Sequence, residues 1–396
     1  MGRPPFNPEY VVRSTVPLVI VLGLGACAPT PEPTPPDVAW PTQGWPRGSA
    51  TAAKMDSSAL AALDQDFKEG KYGFVDAMFV TRGGTVVAEG EYPRDYRAIY
   101  GKRDPVSAMY NYYDATWHPY YNNTKLHTLQ SASKTVTSIV IGIARTRGEF
   151  PTVDTAALAF FPTRKVANVD DRKRRMTIRH LLTMTAGLHW DETNTQYTDP
   201  KNNCAVMEKS RDWVQYVLDR PMAADPGTTF VYNSGATELL AEIFKQATGK
   251  DIAEYAEANL FKPLGITEFY WKRTPMGLPD TEGGVYLTAA DLAKLGLLYA
   301  RGGKWEDQQL VSPEWVAESV KPAIMAGAVG YGFKWWLVPY GPKNDQWAWT
   351  MLGYGGQRTV VIPALDIVAT FTGWNIDEHP SLPVKDMVDR LAAAAR

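Results

Sequence analysis

Cysteine is scarce in this chain: Cys27 and Cys204 are its only two in 396 residues. Once Cys27 is assigned to the leader, as argued below, no pair remains for an intrachain disulfide. The five histidines, His118, His127, His180, His189 and His379, show no Cys/His spacing of a structural metal site and no His-Glu-x-x-His. No metal or other cofactor is therefore expected. A Gly-x-Ser-x-Gly elbow is also missing, which argues against an α/β-hydrolase triad. Ala247-Thr248-Gly249-Lys250 lacks the upstream glycine of a phosphate loop and reads as a helix end. The formal net charge is -2 with no basic stripe, so nucleic acid is not an expected partner. There is no internal repeat. The apolar run Val16 to Gly25 is too short to be a permanent membrane helix.

What that run does have is a basic start, at Arg3 and Arg13, and a small-residue end, the pattern of a secretory signal over residues 1–26. Leu24-Gly25-Ala26-Cys27 resembles the bacterial lipobox, which implies lipid on Cys27 and attachment to a membrane. Ala28 in place of an aspartate resembles lipoproteins sent on to an outer membrane where the cell has one. An exported, lipid-anchored protein of the cell envelope is the expected localisation. Residues 27–50, with Pro29-Thr30-Pro31-Glu32-Pro33-Thr34-Pro35-Pro36 at their centre, favour extended polyproline geometry and read as a tether. Residues 51–396 remain for one large enzyme body.

The body is organised around Leu129-Gln130-Ser131-Ala132-Ser133-Lys134-Thr135, followed by the uncharged run Val136 to Ala144. That run predicts a buried helix, with Ser131 and Lys134 three apart on one face of its first turn. A hydroxyl and an amine meet there, next to unpaired N–H groups and a positive dipole end. Desolvation and the dipole both push towards a neutral lysine, the form that takes a proton from a serine. Ser133 has no lysine three residues on.

Around this stretch the local signals are clear. Asp56 caps a helix through Leu60, Leu63 and Phe67, and Val75–Thr81 and Thr85–Glu91 form a hairpin over Arg82-Gly83-Gly84. The aromatic stretch Tyr110 to Tyr121 has no period and reads as a loop, as does the polar, turn-rich 191–209. Helices are predicted over about 212–218, over a span that carries Leu239, Leu240, Ile243 and Phe244 and stops at Gly249, and from the capping pairs Asp251/Glu254 and Thr288/Asp291. Two strands, Thr359–Ile362 and Ile367–Phe371, and a helix near Pro383–Ala395 follow.

Ser131-Ala132-Ser133-Lys134, Tyr232-Asn233-Ser234 and Met351-Leu352-Gly353 occur in the order and approximate spacing of the three motifs of class C serine β-lactamases and penicillin-binding proteins. The chain most resembles their esterase and 6-aminohexanoate-dimer hydrolase relatives, a likeness that His180 to Leu188 and Gly355-Gly356-Gln357 extend over nearly all of the body. The resemblance implies an α+β fold: an antiparallel β-sheet flanked by helices, with a mostly helical subdomain inserted over about 160–283 and the site in the crevice between the two parts.

It also implies roles. Ser131 would attack an acyl carbon, Lys134 would take or poise its proton, and Tyr232 would be the shared general base, given a positive neighbour to bring it into range at neutral pH. The N–H groups of Ser131 and of Tyr354, next to Gly353, would meet the oxyanion. Ser234 stands where asparagine is frequent in the second motif and, with Gly353 and Tyr354, would belong to the oxyanion and substrate-binding set. Trp190 and Tyr197 would line the acyl pocket, whereas Trp335-Trp336 and Trp347-Ala348-Trp349 read as core and rim packing and His180 as a structural residue. Met351 replaces the lysine or histidine that binds a substrate carboxylate in β-lactamases and D-Ala-D-Ala peptidases, with Arg358 the nearest cation in sequence. The expected activity is thus a serine hydrolase acting on a small-molecule ester or linear amide. The alternatives are a β-lactamase or D-alanyl-D-alanine peptidase, and, in another class, an inactive lipid-anchored binding or envelope-assembly protein. Oligomeric state is not legible.

Overall fold

The computed structural model describes residues 40–105, 110–197, 199–376 and 380–395. The leader, Cys27 and Pro29–Pro36 lie outside these residues. The end of the expected tether does not behave as one: Trp40 packs on Trp305 with ring centroids 5.1 Å apart, Trp45 meets Phe79 edge-on, and Gly48 N–H donates to Val86 O. The two tryptophans bring apolar area that a count of prolines overlooks, and residues 40–50 belong to the body.

Asp56 starts α1 (Ser57–Lys68) by accepting from the N–H groups of Ser58 and Ala59, and the helix buries Leu60, Leu63 and Phe67. The hairpin follows as β1 (Val75–Arg82) and β2 (Thr85–Glu91), turning on Gly83 and Gly84, both at positive φ. After α2 (Tyr96–Tyr100) and an aromatic loop comes β3 (His127–Thr128), then a single 3-10 turn, Gln130–Ala132, that runs into α3 (Ser133–Thr146). The uncharged run makes α3 buried from Ser133 to Ala144. The helical insertion then supplies α4 (Asp171–Arg174), α5 (Ile178–Leu182), α6 (Asn203–Lys209), α7 (Trp213–Leu218), α8 (Ser234–Thr248) and α9 (Ile252–Ala256). Helix α6 lies in what the sequence suggests is loop; Asn202 caps it by accepting from Cys204 and Ala205 N–H.

Next, β4 (Tyr270–Trp271) and β5 (Val285–Leu287) join β3 in a three-stranded sheet of order β3-β5-β4. Strand β5 fixes the nucleophile turn, since Val285 O accepts from Leu129 N–H and Val285 N–H donates to Ser133 Oγ at 3.0 Å. After α10 (Ala289–Ala300) come the small hairpin β6 (Lys304–Trp305) and β7 (Gln308–Gln309), α11 (Pro313–Ser319), and β8 (Ile324–Ala326) to β9 (Val329–Tyr331). The chain closes with β10 (Trp336–Tyr340), β11 (Gln346–Gly353), β12 (Gln357–Ile362), β13 (Ile367–Gly373) and α12 (Val384–Ala394).

The main sheet is antiparallel, ordered β2-β1-β13-β12-β11-β10-β9-β8, so the early hairpin pairs with the end of the chain, Val80 opposite Ala369. Alternation divides its residues between two cores. Met78, Val80 and Phe371 face α1 and α12 through Phe67 and Leu391. Phe79, Val361 and Val368 face the other side, where α3, α8 and α10 contribute Val136, Leu240 and Leu295. Strand β13 is buried along its whole length, and each fully buried aliphatic side chain there stabilises the fold by about 1.5–3 kcal/mol. The expected α+β architecture is what forms, with β8 to β11 as strands that the sequence did not announce.

Candidate active site

Ser131 sits where β3 hands over to α3. The residue before it, Gln130, has φ 46°, a left-handed conformation that strains a non-glycine residue. Its buried amide holds it there: Nε2 donates to Thr128 Oγ1 at 3.1 Å and lies 3.3 Å from His118 Nε2. One helical step on, Lys134 is fully buried and its Nζ donates to Ser131 Oγ at 2.9 Å. The serine and lysine thus meet as their spacing predicts.

The charge of Lys134 is not as predicted. Nζ also donates to the backbone oxygen of Glu282 at 2.7 Å and to its Oε2 at 3.1 Å. Burial pulls the lysine down, but the acidic groups around it, the Glu282 carboxylate in contact with it and Glu192 among them, outweigh burial and hold the ammonium above its usual value. A carboxylate far along the chain overrides the helix-end reasoning. Glu282 lies below its usual value because Lys134 and Lys272 outweigh the upward push of its burial.

Tyr232 precedes α8, whose cap is Asn233, accepting from Ala236 N–H at 2.8 Å. Its ring stacks on Trp336 with centroids 5.7 Å apart and lies 5.3 Å from Lys134 Nζ, and the Ser131 hydroxyl is among the groups that act on its phenol. Burial, with help from Glu192, pushes the phenol above its usual value against the pull of Lys134. The positive neighbour expected to bring it into the neutral range is there, yet burial prevails and the group stays a phenol.

Ser234 does not face substrate. It is buried, and both its N–H and its Oγ donate to Glu192, at 2.7 and 2.8 Å. The same carboxylate accepts from Trp190 Nε1 at 2.5 Å and Tyr197 OH at 3.1 Å. Glu192, which the sequence did not single out, therefore ties the second motif to the loop that carries Trp190 and Tyr197. Its only local signal is an acid two residues after a tryptophan.

In the third motif Met351 is fully buried in the core, Gly353 ends β11 against the turn before Ser131, and Tyr354 is half-buried with its hydroxyl donating to Ile376 O at 2.8 Å. Gln357 holds the glycine turn by donating from Nε2 to Tyr354 O and Gly373 O. Arg358 is no part of this site. It hydrogen-bonds Leu382 O and lines a separate pocket with Phe67 and Leu382, because its position on β12 turns it to the α1/α12 side of the sheet.

Of these residues Tyr232, Glu192, Trp190, Tyr197 and Tyr354 line a cleft of about 1200 Å³, together with Tyr112, Phe230, Trp336 and Arg103; Ser131 and Lys134 lie behind Tyr232 and are not among its lining residues. Trp336 is thus a cleft residue and not only packing. His180 is structural, as expected: its Nδ1 accepts from Thr177 N–H in a reciprocal cap of α5. Behind Lys134, ligand-type atoms of Cys204, Glu208 and Glu282 lie within 4.8 Å of one another. Glu282 is already engaged by Lys134 and burial keeps the Cys204 thiol well above its usual value, so this cluster is poorly suited to a cation.

Comparison with known proteins agrees with this fold. The family profile described as Beta-lactamase matches residues 63–393. The 6-aminohexanoate-dimer hydrolase of Paenarthrobacter ureafaciens is 24% identical over 377 residues, 89% of this chain and 84% of that protein. The monacolin J acid methylbutanoyltransferase of Aspergillus terreus is 28% identical over 106 residues, 27% of this chain, so the chain spans only about a quarter (25%) of that relative. Among solved structures, a putative 6-aminohexanoate-dimer hydrolase from Bacillus anthracis superposes with a TM-score of 0.64 at 19% identity, covering 90% of this chain and 87% of the other. EstCE1, a hydrolase with promiscuous acyltransferase activity, also gives 0.64, at 15% identity over 87% of this chain and 99% of the other.

Proposed function

Because the chain belongs to the beta-lactamase family, we propose that it is a serine hydrolase that forms an acyl-enzyme on Ser131 and turns over an ester or a linear amide, as a carboxylesterase or a 6-aminohexanoate-oligomer hydrolase does. The observation that carries this is the cluster at Ser131: Lys134 Nζ donates to Oγ at 2.9 Å, and the same Nζ lies 5.3 Å from the centre of the Tyr232 ring. Ser131 Oγ attacks the acyl carbon, and the carbonyl π pair moves onto oxygen, where the N–H groups of Ser131 and Tyr354 stabilise it. Tyr232, a phenol, accepts the serine proton as it gives its own to the leaving oxygen or nitrogen. Water then repeats the path in reverse and frees Ser131.

The substrate is a neutral one. Met351 offers no charge and is buried, and Arg358 points to the other side of the sheet. The cleft presents aromatic faces, which suit an apolar acyl or leaving group. A panel of short-acyl neutral esters, 6-aminohexanoate oligomers, D-amino-acid peptides and penicillins tests this: esters or linear amides should be cleaved faster than penicillins. Efficient hydrolysis of a carboxylate-bearing β-lactam with esters untouched would overturn it.

The enzyme is further proposed to reside at the cell envelope, exported and held to a membrane by lipid on Cys27. Support comes from the lipobox-like Leu24-Gly25-Ala26-Cys27 and the prolines that follow. A globomycin-sensitive precursor, and release of the Cys27→Ala protein into the soluble fraction, are the expected results; an unchanged distribution would sink the assignment.

A further inference from the structure

Glu282 touches the reacting lysine and has no part in the hydrolysis just described. Lys134 Nζ is surrounded by three oxygens, Ser131 Oγ at 2.9 Å, Glu282 O at 2.7 Å and Glu282 Oε2 at 3.1 Å. An ammonium donates to all three, whereas a neutral amine would donate to the two Glu282 oxygens and accept from the Ser131 hydroxyl, so it is the carboxylate charge 3.1 Å away that selects the cation. One residue supplies two of the three walls.

The turn that presents Glu282 is built for the purpose. Asp280 Oδ1 accepts from the N–H groups of Glu282 and Gly283, at 3.2 and 2.8 Å, and Asp280 O accepts from Gly284 N–H at 3.1 Å. A β-carbon on Gly284 would come 2.5 Å from that oxygen, so the turn admits no side chain there. Asp280 is itself 3.6 Å from Lys272 Nζ. The next strand, β5, holds the nucleophile turn, and the chain between Asp280 and Leu287 thereby sets Lys134 and Ser131 together.

Other titratable groups face this pair from every side. Tyr232 and Glu192 lie towards the cleft, Cys204 and Glu208 come from α6, Lys334 precedes β10, and Asp280 and Lys272 stand behind Glu282. Burial holds Lys334 well below and the Cys204 thiol well above their usual values and so disfavours charge on both. Among the described residues, the anion in direct contact with Lys134 is Glu282.

We propose that Glu282 is a positioning residue for acyl transfer: its carboxylate and backbone oxygen fix Lys134 as a cation throughout turnover, which bars the lysine from taking the serine proton and routes that proton through Tyr232. This rests on the acyl-enzyme reading above. As the Oγ–C bond forms, the Ser131 proton passes to the Tyr232 oxygen while the phenol's own proton moves to the leaving atom, whose bond to the acyl carbon then breaks. Lys134 keeps its three protons from start to finish.

The test compares Glu282→Gln with Glu282→Asp on a p-nitrophenyl ester across pH. Glu282→Gln keeps an oxygen for Lys134 but no charge, so kcat should fall by about tenfold to a hundredfold with KM little changed, and a new alkaline limb should appear below about pH 9 as the unsupported ammonium loses its proton. Glu282→Asp should move that limb back towards the native position. A Glu282→Gln enzyme with native kcat and no new limb would overturn the proposal. A second measurement needs no turnover and no altered Glu282: the lysine 13Cε signals of the native protein, with Lys134 assigned through Lys134→Arg. No titration of Lys134 from about pH 6 to pH 10 is expected, against an ordinary lysine value of about 10.4. A titration step near neutrality overturns the proposal, even if the protein proves not to be a hydrolase.

Discussion

Gly353 closes on Leu129: a β-carbon placed on Gly353 would lie 2.1 Å from the Leu129 carbonyl oxygen. The end of β11 and the residue two before the nucleophile are thus in backbone contact, with no room for a methyl group. Gly353→Ala should push the strand away from the Ser131 turn and carry the Tyr354 N–H with it. Loss of one oxyanion donor lowers kcat by about 10²-fold to 10³-fold, and that is the expected size. Overpacking should also lower stability by about 1–3 kcal/mol. Steady-state kinetics and denaturant unfolding measure the two; native kcat in a Gly353→Ala protein would remove Tyr354 from the oxyanion site.

Lys134 Nζ touches Ser131 Oγ and lies by the Tyr232 ring, so Lys134 and Tyr232 should act as a unit. Lys134→Ala and Tyr232→Phe are each expected to lower turnover by about 10²-fold to 10⁴-fold, and the double variant by much less than the product. A double-mutant cycle reads this directly. Losses that simply multiply would mean that the two residues work independently.

Asp280 adds a pH dependence to stability. Burial, and then Glu282, push its carboxyl up to about 6 against the pull of Lys272. A carboxyl raised above its unfolded value supports the fold fully below that value, about 3.9, and loses its contribution as pH rises through the folded one. Asp280 should therefore weaken the fold between about pH 4 and pH 6, the opposite sign to Glu282, whose folded value is lowered. Urea unfolding at several pH values should show the stability of Asp280→Asn, taken relative to that of the native chain, rising from about pH 4 to about pH 6. Parallel curves for the two proteins would contradict the assignment.

Features written in neighbouring residues were legible before the structure. Asp56 and its helix, the Gly83-Gly84 turn, the stop of α8 at Gly249 with φ 70°, and the Ser131–Lys134 contact all follow from signals within a few residues. What escaped depends on groups brought together by the fold. Glu282 reaches Lys134 across 148 residues and Glu192 reaches Ser234 across 42, and neither has a spacing that marks it. For the same reason Lys134 is a cation where helix-end physics suggested a neutral amine, and Ser234 is buried under a carboxylate where the motif suggested substrate contact. Trp336 lines the cleft because β10 turns its ring onto Tyr232, and Trp40 and Trp45 draw the end of the proline-rich stretch onto the body.

The central claim is that Ser131 is the nucleophile, and covalent labelling with a fluorophosphonate followed by peptide mapping tests it most directly. The two serines of the turn are separated by their partners: Ser131 Oγ receives Lys134 Nζ, whereas Ser133 Oγ is buried and accepts from Val285 N–H. One adduct is expected, on Ser131, absent from Ser131→Ala and retained in Ser133→Ala, although the latter should be less stable by about 1–3 kcal/mol for its unpaired buried N–H. An adduct mapped to Ser133 or to another residue, or none on the folded protein, would contradict the account.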